Sequence, residues 1–142
     1  MTPTRGIEVG VLPYLFEGNR TRVVLITSRG KGRWILPKGR PVNGIPHADQ
    51  ALVEAFEEAG IVGRFGPFDP IDVVRGEGAR ARSLRLYPMH VRHLAERWPE
   101  EVERRRKVVS PRKAIELLDE VALKMALEQF VASLRGRLSR VG

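Results

Sequence analysis

Cysteine is absent from the 142 residues, which removes disulfide frameworks and thiolate metal sites together. The expected compartment is accordingly the reducing cytoplasm. Long apolar runs are missing too, since none approaches the roughly 20 residues that a membrane-spanning helix needs. The opening MTPTRGIEVG lacks the apolar stretch of a secretory signal. Acid is in short supply: 17 Asp plus Glu stand against 25 Lys plus Arg, a net charge of +8. That balance suits a phosphate-rich small molecule, nucleic acid or an anionic surface, and a plain solvated basic exterior would also produce it. With no repeat, low-complexity tract or linker, residues 1–142 read as a single domain.

What is present alternates between two periodicities. IEVGVLPYLF and RVVLITSRG are short and rich in Val, Ile and Leu, and EGNR between them reads as a turn. RWILP is a third brief apolar stretch. From Pro46 to Ala59 the spacing turns helical, with Ala48, Ala51 or Leu52, Ala55 and Ala59 on one stripe. Pro46 suits the first turn of that helix and Gly60 the position past its end. His47, Gln50, Glu54, Glu57 and Glu58 share the other stripe. IVGRFGPFDPIDVV predicts a strand with a turn-rich interruption. RARSLRLYPMHVRHL predicts a long strand whose Pro88 suggests an edge or a bulge. RRRKVVS predicts a further strand, Ser110-Pro111 opens a helix to about Leu118, and a last helix runs from about Glu120 to Leu138. The sum is an α+β domain with a mixed sheet packed between helices.

Glu54, Glu57 and Glu58 crowd about one turn of helix in a basic chain. Positions i, i+3 and i+4 are neighbours there. Two like charges about 4 Å apart repel by roughly 4 kcal/mol at an effective dielectric near 20. A hard divalent cation would offset that repulsion, because Mg²⁺ takes oxygen ligands and bridges carboxylates to phosphates. A solvated acidic face is the alternative.

The surrounding segment, GRWILPKGRPVNGIPHADQALVEAFEEAGIVG, resembles the signature of the Nudix hydrolase family. Gly39, Glu54, Ala55, Glu57, Glu58, Gly60 and Ile61 fall at the matching intervals. Ile45 and Val53 stand where the signature has its first Glu and its Arg. Either packing replaces the supporting polar interactions, or the box is decayed and non-catalytic. The first is preferred, because decay should not spare all three glutamates. SRGKGRWILPKG and RRKVVSPRKAIELL extend the likeness towards the diphosphoinositol and diadenosine polyphosphate branch, over roughly residues 6 to 135.

The resemblance implies a Nudix α/β/α sandwich and hydrolysis of a pyrophosphate bond with Mg²⁺ or Mn²⁺. Glu54, Glu57 and Glu58 match its metal ligands, helped by a main-chain oxygen near Lys38 and Gly39, with one of these glutamates, Glu54 or Glu57 first, or an acid from a loop acting on the attacking water. Diadenosine or diphosphoinositol polyphosphates are the implied substrates. A 5′-triphosphate-ended RNA and a silent phosphate- or nucleic-acid-binding module are the alternatives.

A polyphosphate needs several cationic donors, and Arg33, Lys38 and Arg40 flank the strand and turn that deliver Gly39. Arg29 and Lys31 read equally well as a solvated loop. Trp34 is either a stacking platform or core. The run Arg104, Arg105, Arg106 and Lys107 reads as a solvated strand whose side chains alternate between faces. Glu77, set among glycines, is a candidate loop base, and His47, His90 and His93 receive no role.

Overall fold

The computed structural model describes residues 6–141. In chain order the elements are β1 (Ile7–Glu17), β2 (Arg20–Thr27), β3 (Trp34–Ile35), β4 (Lys38–Gly39), α1 (His47–Ala59), β5 (Ile61–Phe65), β6 (Ile71–Arg75), a 3₁₀ turn (Gly78–Arg80), β7 (Arg82–Leu94), β8 (Arg106–Val109), α2 (Pro111–Leu117) and α3 (Val121–Val141). One mixed sheet holds all the strands. Its main path is β3-β2-β1-β7-β5, with β4 added to β1, β6 to β7 and β8 to β2. β1 and β7 run parallel, Ile7 opposite Ser83 through Tyr14 opposite His90, and the other strand pairs are antiparallel.

β1 explains the layering. Its residues 8–14 are buried without alternation, which a strand tolerates only when both faces are covered. α1 packs on β1, β4 and β5, while α3 packs on β6 and α2, and α2 on β2. Tyr14 of β1 meets Phe130 of α3 at 4.9 Å between ring centres, so α1 takes the other face. The core joins Val11, Leu12, Leu25 and Ile26 of the sheet to Ala51, Ala55 and Ala59 of α1 and to Leu123, Leu127 and Phe130 of α3.

Local signals account for the helix ends. Gly60 closes α1 at φ 65°, donating to Ala55 and Phe56 carbonyls. The Ser110 side chain accepts from the Lys113 amide, with Pro111 in the first turn of α2. Pro46 is the residue before α1 and not part of its first turn. The expectation that Pro88 marks an edge is corrected, because β7 lies between β1 and the β5/β6 pair. Pro88 is tolerated where the antiparallel partner changes, from Ile71 opposite Leu86 to Phe65 opposite Met89. No helix among the described residues is long and apolar enough to cross a membrane.

Candidate active site

Two glycines let β4 lie tight between β1 and α1. Lys38 and Gly39 pair with Gly10 and Val9, and the Val11 amide donates to the Pro37 carbonyl at 3.0 Å. A Cβ on Gly10 would stand 2.2 Å from the Pro37 oxygen. A Cβ on Gly39 would stand 2.4 Å from Oε1 of Glu54. The space a side chain would need at Gly39 is thus taken by the Glu54 carboxylate, which rests on the β4 backbone.

Glu58, one turn further along α1, turns inward. It is 7% exposed, accepts from the Lys38 amide at 3.1 Å and faces Arg104 at 3.5 Å. Burial pushes its pKa from an ordinary 4.5 up to about 7, against the attraction of Arg104 and the Lys38 amide. Arg104 in turn bonds Glu100 at 2.7 Å and the Thr27 carbonyl at 3.0 Å. The last carbonyls of α1 are held by Trp98 Nε1 on Glu58 and by Arg106 on Ala59. A cation at a helix C-terminus is favourable on electrostatic grounds as well.

These contacts correct the reading of Arg104 to Lys107 as a solvated run for Arg104 and Arg106, while Arg105 and Lys107 are exposed and alternate with them as expected. Arg104 is buried, Arg106 lies over the Trp98 ring at 4.2 Å, and Arg105 and Lys107 lie over Trp34. Trp34 itself is half-buried, packed against the core and flanked by those two cations.

Glu57 is exposed, and its side chain makes no hydrogen bond or ion pair among the described residues. Glu54 accepts from Gln50 Nε2 at 2.6 Å. The three glutamates therefore share one helix but are engaged separately. Among the described residues no three acidic or histidine side chains converge as a ligand set. Ile45 and Val53 are 38% and 41% exposed, so packing does not take the place of the polar pair expected there.

Whether these residues suit a divalent cation turns on donor chemistry and room. The donors are carboxylate oxygens, the hard set that Mg²⁺ and Mn²⁺ favour. Glu54 and Glu57 carry no ion pair among the described residues, the missing Cβ at Gly39 makes room for the Glu54 carboxylate against β4, and Glu58 would have to exchange its Arg104 and Lys38 contacts for the ion. The residues fit, with Glu57 free to swing in.

Beside the helix lies an open hollow of about 540 Å³ lined by Glu8, Arg33, Lys38, Arg75, Gly76, Arg80, Arg82 and Glu120. Lys38 Nζ pairs with Glu8 at 3.3 Å, and Arg75 joins Glu8 at 2.6 Å to Glu120 at 2.7 Å. Hydrogen bonds from Arg75 hold Glu120 below the usual carboxylate range, against the opposing effect of burial. Arg33 stands 3.6 Å from Asp119. Arg40 lines the adjoining hollow with Glu8 and Arg82. Of the expected cations, Arg33 and Lys38 thus share one wall and Arg40 the next. Arg75, Arg80 and Arg82 are further cations of this wall that the sequence pattern does not single out, since RGEGARAR offers Glu77 as its candidate loop base. Glu77 is exposed and precedes the 3₁₀ turn. The repeated arginines, brought back by a glycine-rich turn, were the readable signal.

No family model matches the chain. It is 32% identical over 130 residues to Nudix hydrolase 21, chloroplastic, of Arabidopsis thaliana; the match covers 87% of this chain and 65% of that relative's length. An Ap4A hydrolase structure from C. elegans superposes with a TM-score of 0.75 at 17% identity, over 91% of this chain and 98% of that one. A Nudix hydrolase structure from M. smegmatis gives 0.68 at 14% identity, over 94% and 88%. At those identities the structural likeness speaks for the fold.

Proposed function

The chain belongs to the Nudix hydrolase family, and from that premise we propose that it hydrolyses a pyrophosphate bond in a polyphosphorylated small molecule with the help of a divalent metal ion. Dinucleoside polyphosphates or diphosphoinositol polyphosphates are the substrate class that suits the site. One observation carries the reading. The Lys38 amide is held by Glu58, its neighbour Gly39 receives Glu54, and its side chain lines the basic hollow. A single dipeptide thus joins the carboxylates to the cations, which a solvated acidic face would have no reason to do.

Glu54, Glu57 and Glu58 would hold the ion, Mg²⁺ or Mn²⁺. The chemistry it supplies when bound is polarisation of a phosphoryl oxygen and activation of water. Lys38, Arg33 and the further arginines of the hollow bind and orient the phosphate chain, with Arg40 beside them. Arginine offers planar paired donors for this, and lysine a point charge. Glu57, exposed and without a side-chain partner among the described residues, would take the proton of the attacking water.

A hydrolysis screen with Mg²⁺ or Mn²⁺ tests the reading, across diadenosine polyphosphates, inositol pyrophosphates and triphosphate-ended RNA. Turnover of the small molecules is expected, with Glu57→Gln losing roughly a hundredfold or more in kcat at an unchanged melting temperature. Normal rates in both Glu57→Gln and Glu58→Gln would remove the site assignment. The net charge of +8 favours RNA as the second reading. RNA turnover would show affinity falling steeply with salt over many phosphate contacts. A silent module would bind and not turn over.

A further inference from the structure

Gln50 lies one turn before Glu54 on α1 and is 4% exposed. Its Nε2 donates to Glu54 Oε2 at 2.6 Å, and its Oε1 has no hydrogen-bond partner. Turning the amide over would set an oxygen against a carboxylate, acceptor against acceptor, so the orientation is fixed by charge. A buried acceptor left unsatisfied is costly, and most such groups in folded proteins find a donor. The same turn of helix carries Ala51 and Ala55 in the core, where an apolar side chain at position 50 would join them without that cost. The neighbouring positions offer no polar support to Glu54, since Ile45 and Val53 are apolar and exposed.

We propose that Gln50 is the positioning residue that orients Glu54 for a divalent cation, and that its free Oε1 accepts from a water bound to that cation. Mg²⁺ and its relatives keep several of their waters when bound by carboxylates, and such waters are strong donors. An orphaned acceptor beside a metal-facing carboxylate is then a half-finished hydrogen bond. Groups that orient a metal ligand through hydrogen bonds commonly contribute 10–100-fold to metal affinity.

This inference rests on the metal-dependent reading above, but metal binding alone decides it. Mn²⁺ is titrated into the metal-free wild type, Gln50→Leu and Gln50→Asn, with spin resonance or calorimetry as readout, and each protein is melted in chelator. Gln50→Leu removes the donor and the orphaned acceptor together. Its Mn²⁺ Kd should rise about tenfold or more while its melting temperature in chelator holds or increases. Gln50→Asn keeps the amide one methylene too short to reach, and its Kd should rise similarly; it decides the matter if the leucine variant does not fold. At saturating Mn²⁺, kcat should fall with little change in substrate KM. A Kd within about twofold of wild type would overturn the proposal, and a lower melting temperature beside that unchanged Kd would make Gln50 purely structural. A wild type that binds Mn²⁺ yet hydrolyses no polyphosphate would remove the hydrolase reading and leave Gln50 to be judged on its Kd. A wild type that binds no Mn²⁺ would overturn both.

Discussion

At the scale of single residues, Glu58 is where charge and burial disagree most. Its pKa is raised to about 7 because burial disfavours the carboxylate more than Arg104 and the Lys38 amide favour it. A group whose folded-state pKa lies above its unfolded value contributes stability below the unfolded pKa and loses it as pH rises through the folded one. Metal-free protein should therefore weaken between about pH 4.5 and pH 7 from this group, by about 3 kcal/mol at one pKa unit per 1.36 kcal/mol. Glu58→Gln carries no charge to bury. It should melt above wild type at pH 8 in chelator, and the gap should close below about pH 5. Divalent metal should narrow that gap, stabilising wild type by about 2.7 kcal/mol at a hundredfold excess over Kd and the variant by less. Thermal melts across pH, with chelator or with Mg²⁺, measure both effects. A wild type that gains on the variant as pH rises in chelator would mean that the Arg104 pair outweighs burial.

At the scale of elements, the two-residue strand β4 carries the contacts to Glu54 and Glu58, and its two glycine contacts separate stability from the proposed function. A Cβ at Gly10 would meet main-chain atoms of Pro37, which cannot move without dragging the strand. Gly10→Ala should cost about 2 kcal/mol or more, in the range of overpacked cores. A Cβ at Gly39 would meet only the far end of Glu54, which can rotate away. Gly39→Ala should cost less than about 1 kcal/mol of stability yet weaken metal binding and turnover by tenfold or more. Urea melts beside Mn²⁺ titration read the two quantities, and equal stability losses would show that Glu54 does not rest on β4. The same contrast explains what was legible. α1 and α2 could be read because their signals are local: a period of 3.6, Gly60 past one end, Ser110-Pro111 at the start of the other. β4 is too short for any period, and its place depends on Gly10, far away in sequence. Gln50, Glu58, Arg104 and Arg106 looked solvated because polar residues usually are. The burial of Glu58, Arg104 and Arg106 is set by partners such as Lys38, Thr27 and Ala59, distant in the chain.

At the scale of the whole molecule, the net charge of +8 is not spread evenly in its effect. Around the hollow, Lys38 and Arg75 are already matched by Glu8 and Glu120, and Arg33 leans towards Asp119. Arg80 and Arg82 make no ion pair or side-chain hydrogen bond among the described residues, yet line the same wall. They form the surplus that a longer phosphate chain would meet, while a diphosphate could be held by the cations nearest Gly39. A hydrogen bond to a charged group contributes about 1.5–3 kcal/mol, and solvent at these open positions reduces that to about 1 kcal/mol each. Replacing both, Arg80→Gln with Arg82→Gln, should therefore lower kcat/KM for diadenosine tetraphosphate by about tenfold to thirtyfold. A diphosphate-linked substrate should lose less than about threefold. The melting temperature should not move, because neither side chain is part of the core. Salt should erase the difference between the proteins: the screening length falls from about 10 Å at 0.1 M to about 3 Å at 1 M, and exposed arginines feel it first. Measuring kcat/KM for both substrates at low and high salt tests each part. An equal loss on both substrates would mean that Arg80 and Arg82 act only through the general basic field, and that chain length is read elsewhere.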